Sequence, residues 1–244
     1  MKFKAIEFIK RNMRGFFFYP VLEFFWRIPG KCKRKAMLIR AHFTNYFSKS
    51  SIFRYDEEMY MASLFPRQVL EKTLSLFKPE SILDLGCGIG RSADYFISKG
   101  IEVVGIEGSL LAINKAKNPK VILRYNLNNE LNLKRKFDLI WSFEFVEHIH
   151  PEYLENLLKT FSNHSDRIVM SAARPGIATP WHFNEQPETY WIDNFKKYGY
   201  RLNSKFTEEL RRIDEEFAIN ILVFEREPFS ENLAKTNAVV VEGI

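Results

Sequence analysis

The segment from Ser81 to Gly90, with the sequence SILDLGCGIG, limits the possible folds of this chain more than any other feature. A short apolar run leads to Asp84 and then to three glycines at alternate positions, which are Gly86, Gly88 and Gly90. Glycine allows positive φ and lets the backbone approach a ligand closely. The helix predicted from Arg91 to Lys99 directs its N-terminus toward the same place. This strand, turn and helix predict a ligand site at the end of a parallel strand.

A second strand follows and ends in an acidic side chain. Gly100 is expected to end the helix, and residues 101–106 form an apolar strand that Glu107 closes. Glu107 lies 23 residues after Asp84. A carboxylate in that place can accept hydrogen bonds from both hydroxyls of a ribose.

Strands and helices alternate along the rest of the chain. The spacing predicts a helix from Pro66 to Phe77 and a second one that begins after an N-cap at Ser109 and runs to Lys117. Further strands are predicted at 121–125, 137–143, 167–171 and 217–224, and further helices at 151–161 and 188–198. The alternation predicts a doubly wound, mostly parallel α/β sheet with ligands at the carboxyl ends of its strands.

Three segments are predicted from these patterns. Residues 1–65 form a helical N-terminal extension, residues 66–226 the α/β domain, and residues 227–244 a tail with little to bury. The two cysteines, Cys32 and Cys87, lie far apart, which indicates free thiols in a reducing compartment. We therefore expect a cytoplasmic protein.

The pattern Asp84-x-Gly-x-Gly-x-Gly resembles motif I of the class I S-adenosylmethionine-dependent methyltransferases. The resemblance covers roughly residues 66–226 and implies a seven-stranded sheet whose final strand is antiparallel. It also implies S-adenosylmethionine as the cofactor, since a dinucleotide pyrophosphate would favour a turn without a carboxylate. The implied cofactor residues are, for the methionine part, Asp84, Gly86, Cys87, Gly88, Gly90, Ser142 and Phe143, for the ribose Glu107 and Gly108, and for the adenine Asn126 and Leu127.

The fourth predicted strand leads into Glu144-Phe-Val-Glu147-His148. As one helical turn, this segment would place Glu144, Glu147 and His148 on one face. Two carboxylates and an imidazole form half of a site for a divalent metal. The spacing resembles that of ubiquinone-pathway O-methyltransferases and of small-RNA 2′-O-methyltransferases, where a later histidine completes a metal site. His182 is the candidate for that ligand, although support of cofactor and substrate without a metal is the preferred interpretation.

The loop from Ala172 to Pro187 follows the fifth strand and so lies at the same edge of the sheet. Its His182 could take the proton from an acceptor hydroxyl, because histidine titrates near neutral pH. The alternative is that His182 holds the loop together by hydrogen bonds. Glu144 and His148 are further candidate bases. His150 and His164 flank the predicted helix at 151–161 and are expected at the surface.

The first fifty residues carry most of the positive charge of the chain. They contain twelve Lys or Arg against Glu7 and Glu23, with many aromatic residues between them, whereas the whole chain has a net charge of +6. The longest uncharged run in this segment, from Gly15 to Leu22, is too short to cross a bilayer. Three interpretations remain: a packing arm or lid, a peripheral anchor at the inner face of an anionic membrane, or a nucleic-acid contact.

These observations together predict a methyltransferase that uses S-adenosylmethionine. The expected acceptor is an oxygen of a small molecule, of a sugar or glycan, or of a carrier-linked group. Two alternatives remain: a metal-assisted RNA 2′-O-methyltransferase and a non-catalytic subunit that binds the cofactor and uses its N-terminus for interaction. The RNA alternative is weaker, because the sequence contains no recognisable RNA-binding module.

Overall fold

The computed structural model describes residues 65–176, 182–213 and 219–226. The predictions for the basic aromatic segment and for the C-terminal tail lie outside these residues. Within them, no helix has the length and apolar character needed to cross a bilayer.

A seven-stranded sheet lies at the centre of the described residues, with the strand order β3-β2-β1-β4-β5-β7-β6. The first five strands pair in parallel, and β7 runs antiparallel to both of its neighbours. The predicted fold class and the antiparallel final strand are therefore confirmed. The strands are β1 (Ser81–Leu85), β2 (Glu102–Glu107), β3 (Ile122–Arg124), β4 (Leu139–Ser142), β5 (Arg167–Ser171), β6 (Tyr200–Leu202) and β7 (Ile221–Arg226).

Six α-helices accompany the sheet within the described residues: α1 (Arg67–Phe77), α2 (Arg91–Ser98), α3 (Leu110–Lys115), α4 (Leu154–His164), α5 (Glu188–Lys196) and α6 (Ser204–Arg211). Three-residue 3₁₀ turns occur at Pro119–Val121, Val146–His148 and Pro151–Tyr153. Ser109 caps α3, because its hydroxyl accepts the N–H of Ala112, as predicted. Gly100 follows α2 with φ +81°, a conformation that favours glycine.

Several predicted strands extend further than the observed ones. The third strand begins only at Ile122, because Pro119 starts a 3₁₀ turn rather than an extended segment. The fourth strand begins at Leu139, since the side chain of Asp138 instead accepts hydrogen bonds from the backbone of Glu80 and Ser81. The apolar pattern of these segments predicted the strands but not the turns that shorten them.

Hydrophobic side chains fill both faces of the sheet, as a parallel sheet requires. On one face, Trp141 packs edge-on against Phe96 of α2, with a centroid distance of 5.7 Å. On the other face, Phe224 stacks on Phe195 of α5 at 4.4 Å. Burial on both faces holds the carboxyl ends of β1, β2, β4 and β5 at one edge of the sheet.

The surface position predicted for His164 is wrong. This residue is fully buried at the end of α4. Its Nε2 accepts the N–H of Leu133 at 2.9 Å, and its Nδ1 lies 2.6 Å from the carbonyl oxygen of Thr160. Burial lowers the pKa of His164, which agrees with a neutral ring that donates from Nδ1. His150 is half-buried and stacks on Phe183 at 4.1 Å.

Candidate functional site

The glycine-rich loop joins β1 to α2 at the carboxyl edge of the sheet. All three glycines have positive φ, with values of 73°, 56° and 77° at Gly86, Gly88 and Gly90. A side chain at Gly86 would also be blocked, because its Cβ would lie 2.2 Å from ring atoms of Phe145. Packing against the turn after β4 therefore requires glycine at this position, in addition to any approach of a ligand. A valine at 86 would disturb that packing as well.

Asp84, near the end of β1, is an acid that lies inside the protein. Its side chain is only 2% exposed, and its Oδ2 has no hydrogen-bond partner among the described residues. The N–H of Ala93 interacts with the carboxylate. Burial, and next the nearby carboxylate of Glu107, raise the pKa of Asp84 to about 8. An unpartnered buried acid at this place favours a cationic ligand group close by.

Glu107 connects β2 to the glycine loop. Its Oε2 accepts the N–H of Gly88 at 2.9 Å, and its Oε1 accepts the N–H of Ser109 at 2.7 Å. Burial raises the pKa of this carboxyl. A carboxylate has about four acceptor positions, so both oxygens keep capacity for a ribose hydroxyl while they hold the loop.

The predicted adenine residues follow β3. Asn126 is half-buried, and its side-chain oxygen accepts the N–H of Asn128 at 3.1 Å. Leu127 is buried, with 5% exposure, and belongs to the core. The side chain of Asn126 thus closes a local turn, and only its second lone pair and its amide group are available to a base.

The residues at the end of β4 are packed tightly. Ser142 is buried and donates to the carbonyl oxygen of Leu85 at 3.2 Å. Phe143 stacks on Trp141 at 4.0 Å. Ser142 therefore joins the ends of β4 and β1, and Phe143 packs on the end of β4 beside the predicted methionine site.

Two smaller features complete the loop. The pKa of Cys87 is raised, first by burial and next by the charge of Asp84, which disfavours the thiolate form. Gly105 makes room for it, because a Cβ there would lie 2.8 Å from the Cys87 sulfur. A Cβ at Gly108 would contact the carbonyl oxygen of Tyr125 at 3.5 Å, an ordinary distance.

The segment after β4 does not form the predicted helical turn. Glu144 has φ +49°, and the 3₁₀ turn begins only at Val146. The carboxylate of Glu144 binds the hydroxyl of Ser171 on β5 at 2.8 Å, and the same hydroxyl oxygen accepts the N–H of Glu144 at 2.7 Å. The prediction that Glu144 shares one face with Glu147 and His148 is therefore wrong.

Glu147 is fully buried, and neither of its carboxylate oxygens has a hydrogen-bond partner among the described residues. Burial, with a further contribution from Glu144, raises its pKa well above the usual value. Its backbone carbonyl accepts the N–H groups of Phe183 and Asn184, at 2.8 and 3.0 Å. Glu147 thereby attaches the loop after β5 to the turn after β4.

His148 and His182 lie beside this carboxylate. Ligand atoms of Glu147, His148 and His182 all lie within 4.8 Å of one another, so this trio could hold a metal ion. The imidazole rings of His148 and His182 meet edge-on with a centroid distance of 4.9 Å. The side chain of His182 is largely buried, and burial lowers its pKa below the usual value. The structure thus brings together three of the four predicted metal ligands, without Glu144.

Sequence reasoning missed two residues that shape this site. Glu185 lies 3.1 Å from the Nδ1 of His182 through its Oε1. Phe145 fills the space above Gly86. An acid three residues after a loop histidine is a usable signal for Glu185, whereas an apolar residue between two acids gives none for Phe145.

The chain is similar to known proteins over part of its length. Residues 54–172 match the family model of a methyltransferase domain. The chain is 32% identical over 120 residues to the probable tocopherol O-methyltransferase, chloroplastic, of Oryza sativa subsp. japonica, a match that covers 45% of this chain and 32% of that protein. It is 30% identical over 91 residues to the ubiquinone biosynthesis O-methyltransferase of Rhodopseudomonas palustris strain BisB5, covering 34% and 36%. The matches thus span about a third of these curated relatives.

The fold is also that of a solved structure. A TehB-like SAM-dependent methyltransferase from Corynebacterium glutamicum has a TM-score of 0.53 at 19% sequence identity. The similarity covers 77% of this chain and 100% of that chain. At this identity, the similarity shows the fold alone.

Proposed function

We propose that this chain, whose residues 54–172 match the family model of a methyltransferase domain, is a class I S-adenosylmethionine-dependent methyltransferase. It transfers a methyl group from S-adenosylmethionine to an oxygen atom. The acceptor is a small molecule, a sugar or glycan, or a carrier-linked group. The relatives reported above are named as O-methyltransferases, which supports an oxygen acceptor.

One observation carries the cofactor assignment: Asp84 is buried, and its Oδ2 is unpartnered among the described residues. The methionine part of the cofactor carries an ammonium group and a sulfonium, which would offset this buried acid. The glycine loop gives the backbone the conformation needed for close approach, and Glu107 is placed to accept from the ribose. These residues fit a cationic nucleoside better than an anionic dinucleotide.

The chemistry needs alignment more than acid or base strength. The cofactor supplies an activated methyl group, and attack on it is an in-line displacement. The contribution of the protein is to hold the acceptor oxygen in line and to exclude water. Ser142 and Phe145 support this purpose, because Ser142 bonds the end of β1 and Phe145 packs against Gly86.

A base is useful when the acceptor is a hydroxyl. His182 suits this role, because its lowered pKa keeps the imidazole neutral near pH 7 and able to take a proton. Glu144 is less suited, since its carboxylate is bonded to Ser171. His148 contributes one edge of the same cluster.

The direct test is turnover with a panel of hydroxyl acceptors, read as formation of S-adenosylhomocysteine. Calorimetry should first show that S-adenosylhomocysteine binds the full-length chain. The His182→Ala variant should keep that binding and lose most, but not all, of its turnover. Cofactor binding without turnover on any acceptor would instead favour the non-catalytic subunit.

A metal-assisted reaction on an RNA 2′-hydroxyl is a second candidate. The observation that favours it is the buried carboxylate of Glu147, which lies beside two imidazoles and has no hydrogen-bond partner among the described residues. A metal ion would compensate such a group. Stimulation by Mg²⁺ or Mn²⁺, together with salt-dependent RNA binding, would support this candidate over the small-molecule one.

A further inference from the structure

Glu185 connects two groups that flank residues 177–181. Its Oε1 lies 3.1 Å from the Nδ1 of His182, and its Oε2 accepts the N–H of Gly176 at 3.1 Å. The side chains of His182 and Glu185 are only 10% and 13% exposed. Water therefore has little access to replace either partner, and the bond between them is stronger than it would be at the surface.

Other bonds hold the backbone around this pair. The N–H groups of Phe183 and Asn184 donate to the carbonyl of Glu147, and the N–H of Gln186 donates to the carbonyl of Ala173 at 3.3 Å. None of these three bonds uses the carboxylate of Glu185. Removal of that carboxylate should therefore keep these three bonds, while the N–H of Gly176 loses its acceptor and the imidazole of His182 loses its orienting partner.

The carboxylate also determines which ring nitrogen carries the proton. The contact of Oε1 with Nδ1 is a hydrogen bond when Nδ1 carries the proton, because a carboxylate oxygen accepts. The lone pair then lies on Nε2. Because the ring of His148 meets that of His182 edge-on at 4.9 Å, a rotated or tautomerised ring would alter the whole cluster.

We propose that Glu185 is the positioning residue of His182: it selects the Nδ1-protonated tautomer and keeps Nε2 as the proton acceptor of the site. This inference rests on the proposed function. In that reaction, the acceptor oxygen forms a bond to the methyl carbon, and the carbon–sulfur bond breaks with its electron pair left on sulfur. The hydroxyl proton passes to Nε2 of His182. Glu185 acts only through the imidazole.

Activity measurements give the first test. Glu185→Ala removes both acceptor oxygens and should lower kcat by about tenfold or more, with unchanged affinity for S-adenosylhomocysteine. Glu185→Gln keeps one oxygen and should restore part of the loss. Glu155→Gln, on an exposed acid of α4 that pairs with Lys159, is the matched control and should retain full activity.

A double-mutant cycle separates positioning from general damage. In a His182→Ala background, Glu185→Ala should cause no further loss of kcat, because residues that act as a unit are not additive. An equal loss of kcat in both backgrounds would overturn the proposal.

The tautomer can be read without any reaction. In the full-length protein labelled with ¹⁵N-histidine, His182 should show a protonated Nδ1 and an unprotonated Nε2, with the resonance assigned by its loss in His182→Ala. Glu185→Ala should shift it toward a mixture of tautomers. An Nε2-protonated ring in the wild-type chain would refute the inference, even if turnover is normal. Failure to bind S-adenosylhomocysteine would instead refute the proposed function, and the tautomer would still report on Glu185.

Discussion

Asp84→Asn should make the protein without cofactor more stable, and the gain should grow with pH. The change keeps the size of the side chain and an oxygen that can accept from Ala93. It removes a carboxyl that is 2% exposed and whose pKa is raised to about 8, first by burial and next by Glu107. A folded-state pKa above the unfolded one means that stability is greatest below the unfolded pKa and is lost as pH rises through the folded one.

The magnitude follows from the two pKa values. An unfolded Asp titrates near 3.9, and each pKa unit corresponds to roughly 1.4 kcal/mol. A pH of 7 lies about three units above the unfolded-state pKa, so ionisation of Asp84 in the unfolded chain lowers the free energy of unfolding by about 4 kcal/mol. The neutral carboxyl and the amide both leave one hydrogen-bonding group without a partner among the described residues, so this penalty roughly cancels in the comparison. Asp84→Asn should thus leave the free energy of unfolding almost unchanged at pH 4 and raise it by about 4 kcal/mol at pH 7.

Urea unfolding of both forms at several pH values between 4 and 8 measures this difference. The change of the stability difference with pH is more informative than its absolute value, because a steric effect of the amide would shift the difference equally at every pH. A difference that does not change with pH, or an Asn variant that is less stable throughout, would refute the reasoning. The same variant should bind the cofactor more weakly, because it lacks the charge that would face the ammonium group.

Four further predictions follow from other residues. Glu107→Ala should weaken binding of S-adenosylhomocysteine by about tenfold or more, because charged hydrogen bonds contribute roughly 1.5–3 kcal/mol each, whereas Glu102→Ala on the same strand should not; calorimetry measures both. Burial lowers the pKa of His164, so protonation of this residue costs stability as pH falls below about 7, and the free energy of unfolding of His164→Gln should rise relative to that of the wild-type chain over this range in denaturant titrations. Activity should persist in excess EDTA, and a loss that Mn²⁺ restores would contradict this. A chain starting at Ser51 should still bind S-adenosylhomocysteine but should pellet less with anionic liposomes, since each Lys or Arg contributes about 1 kcal/mol near such a surface; equal pelleting of both forms would reject a membrane contact through residues 1–50.

The periodic parts of the fold could be predicted from the sequence alone. The strand at Arg167–Ser171 matches its predicted bounds, and the cap at Ser109 was expected from its position before an apolar stretch. These features depend on local pattern, which the sequence displays directly. The course of Pro119–Val121 was missed, because a single proline changed an otherwise extended segment into a turn.

The candidate site was predictable in its residues but not in its contacts. Glu147, His148 and His182 were recognised as residue types, and the structure brings them within 4.8 Å. Glu144 was misplaced because its positive φ and its bond to Ser171 depend on a neighbouring strand. The burial of His164 likewise depends on the segment around Leu133, which lies 31 residues away along the chain. Contacts of this range leave no periodic signal.

The contact between Phe145 and Gly86 has a consequence for engineering. The ring of Phe145 occupies the space that a side chain at position 86 would need. Two residues later, the backbone carbonyl of Glu147 accepts hydrogen bonds from the loop that carries His182. The glycine loop and the loop after β5 are therefore joined through one short turn. Replacing only the loop after β5 with that of a relative would leave out the turn whose Glu147 carbonyl holds this loop in place. An exchange of the loop after β5 should therefore include the turn at 143–149 together with residues 182–187.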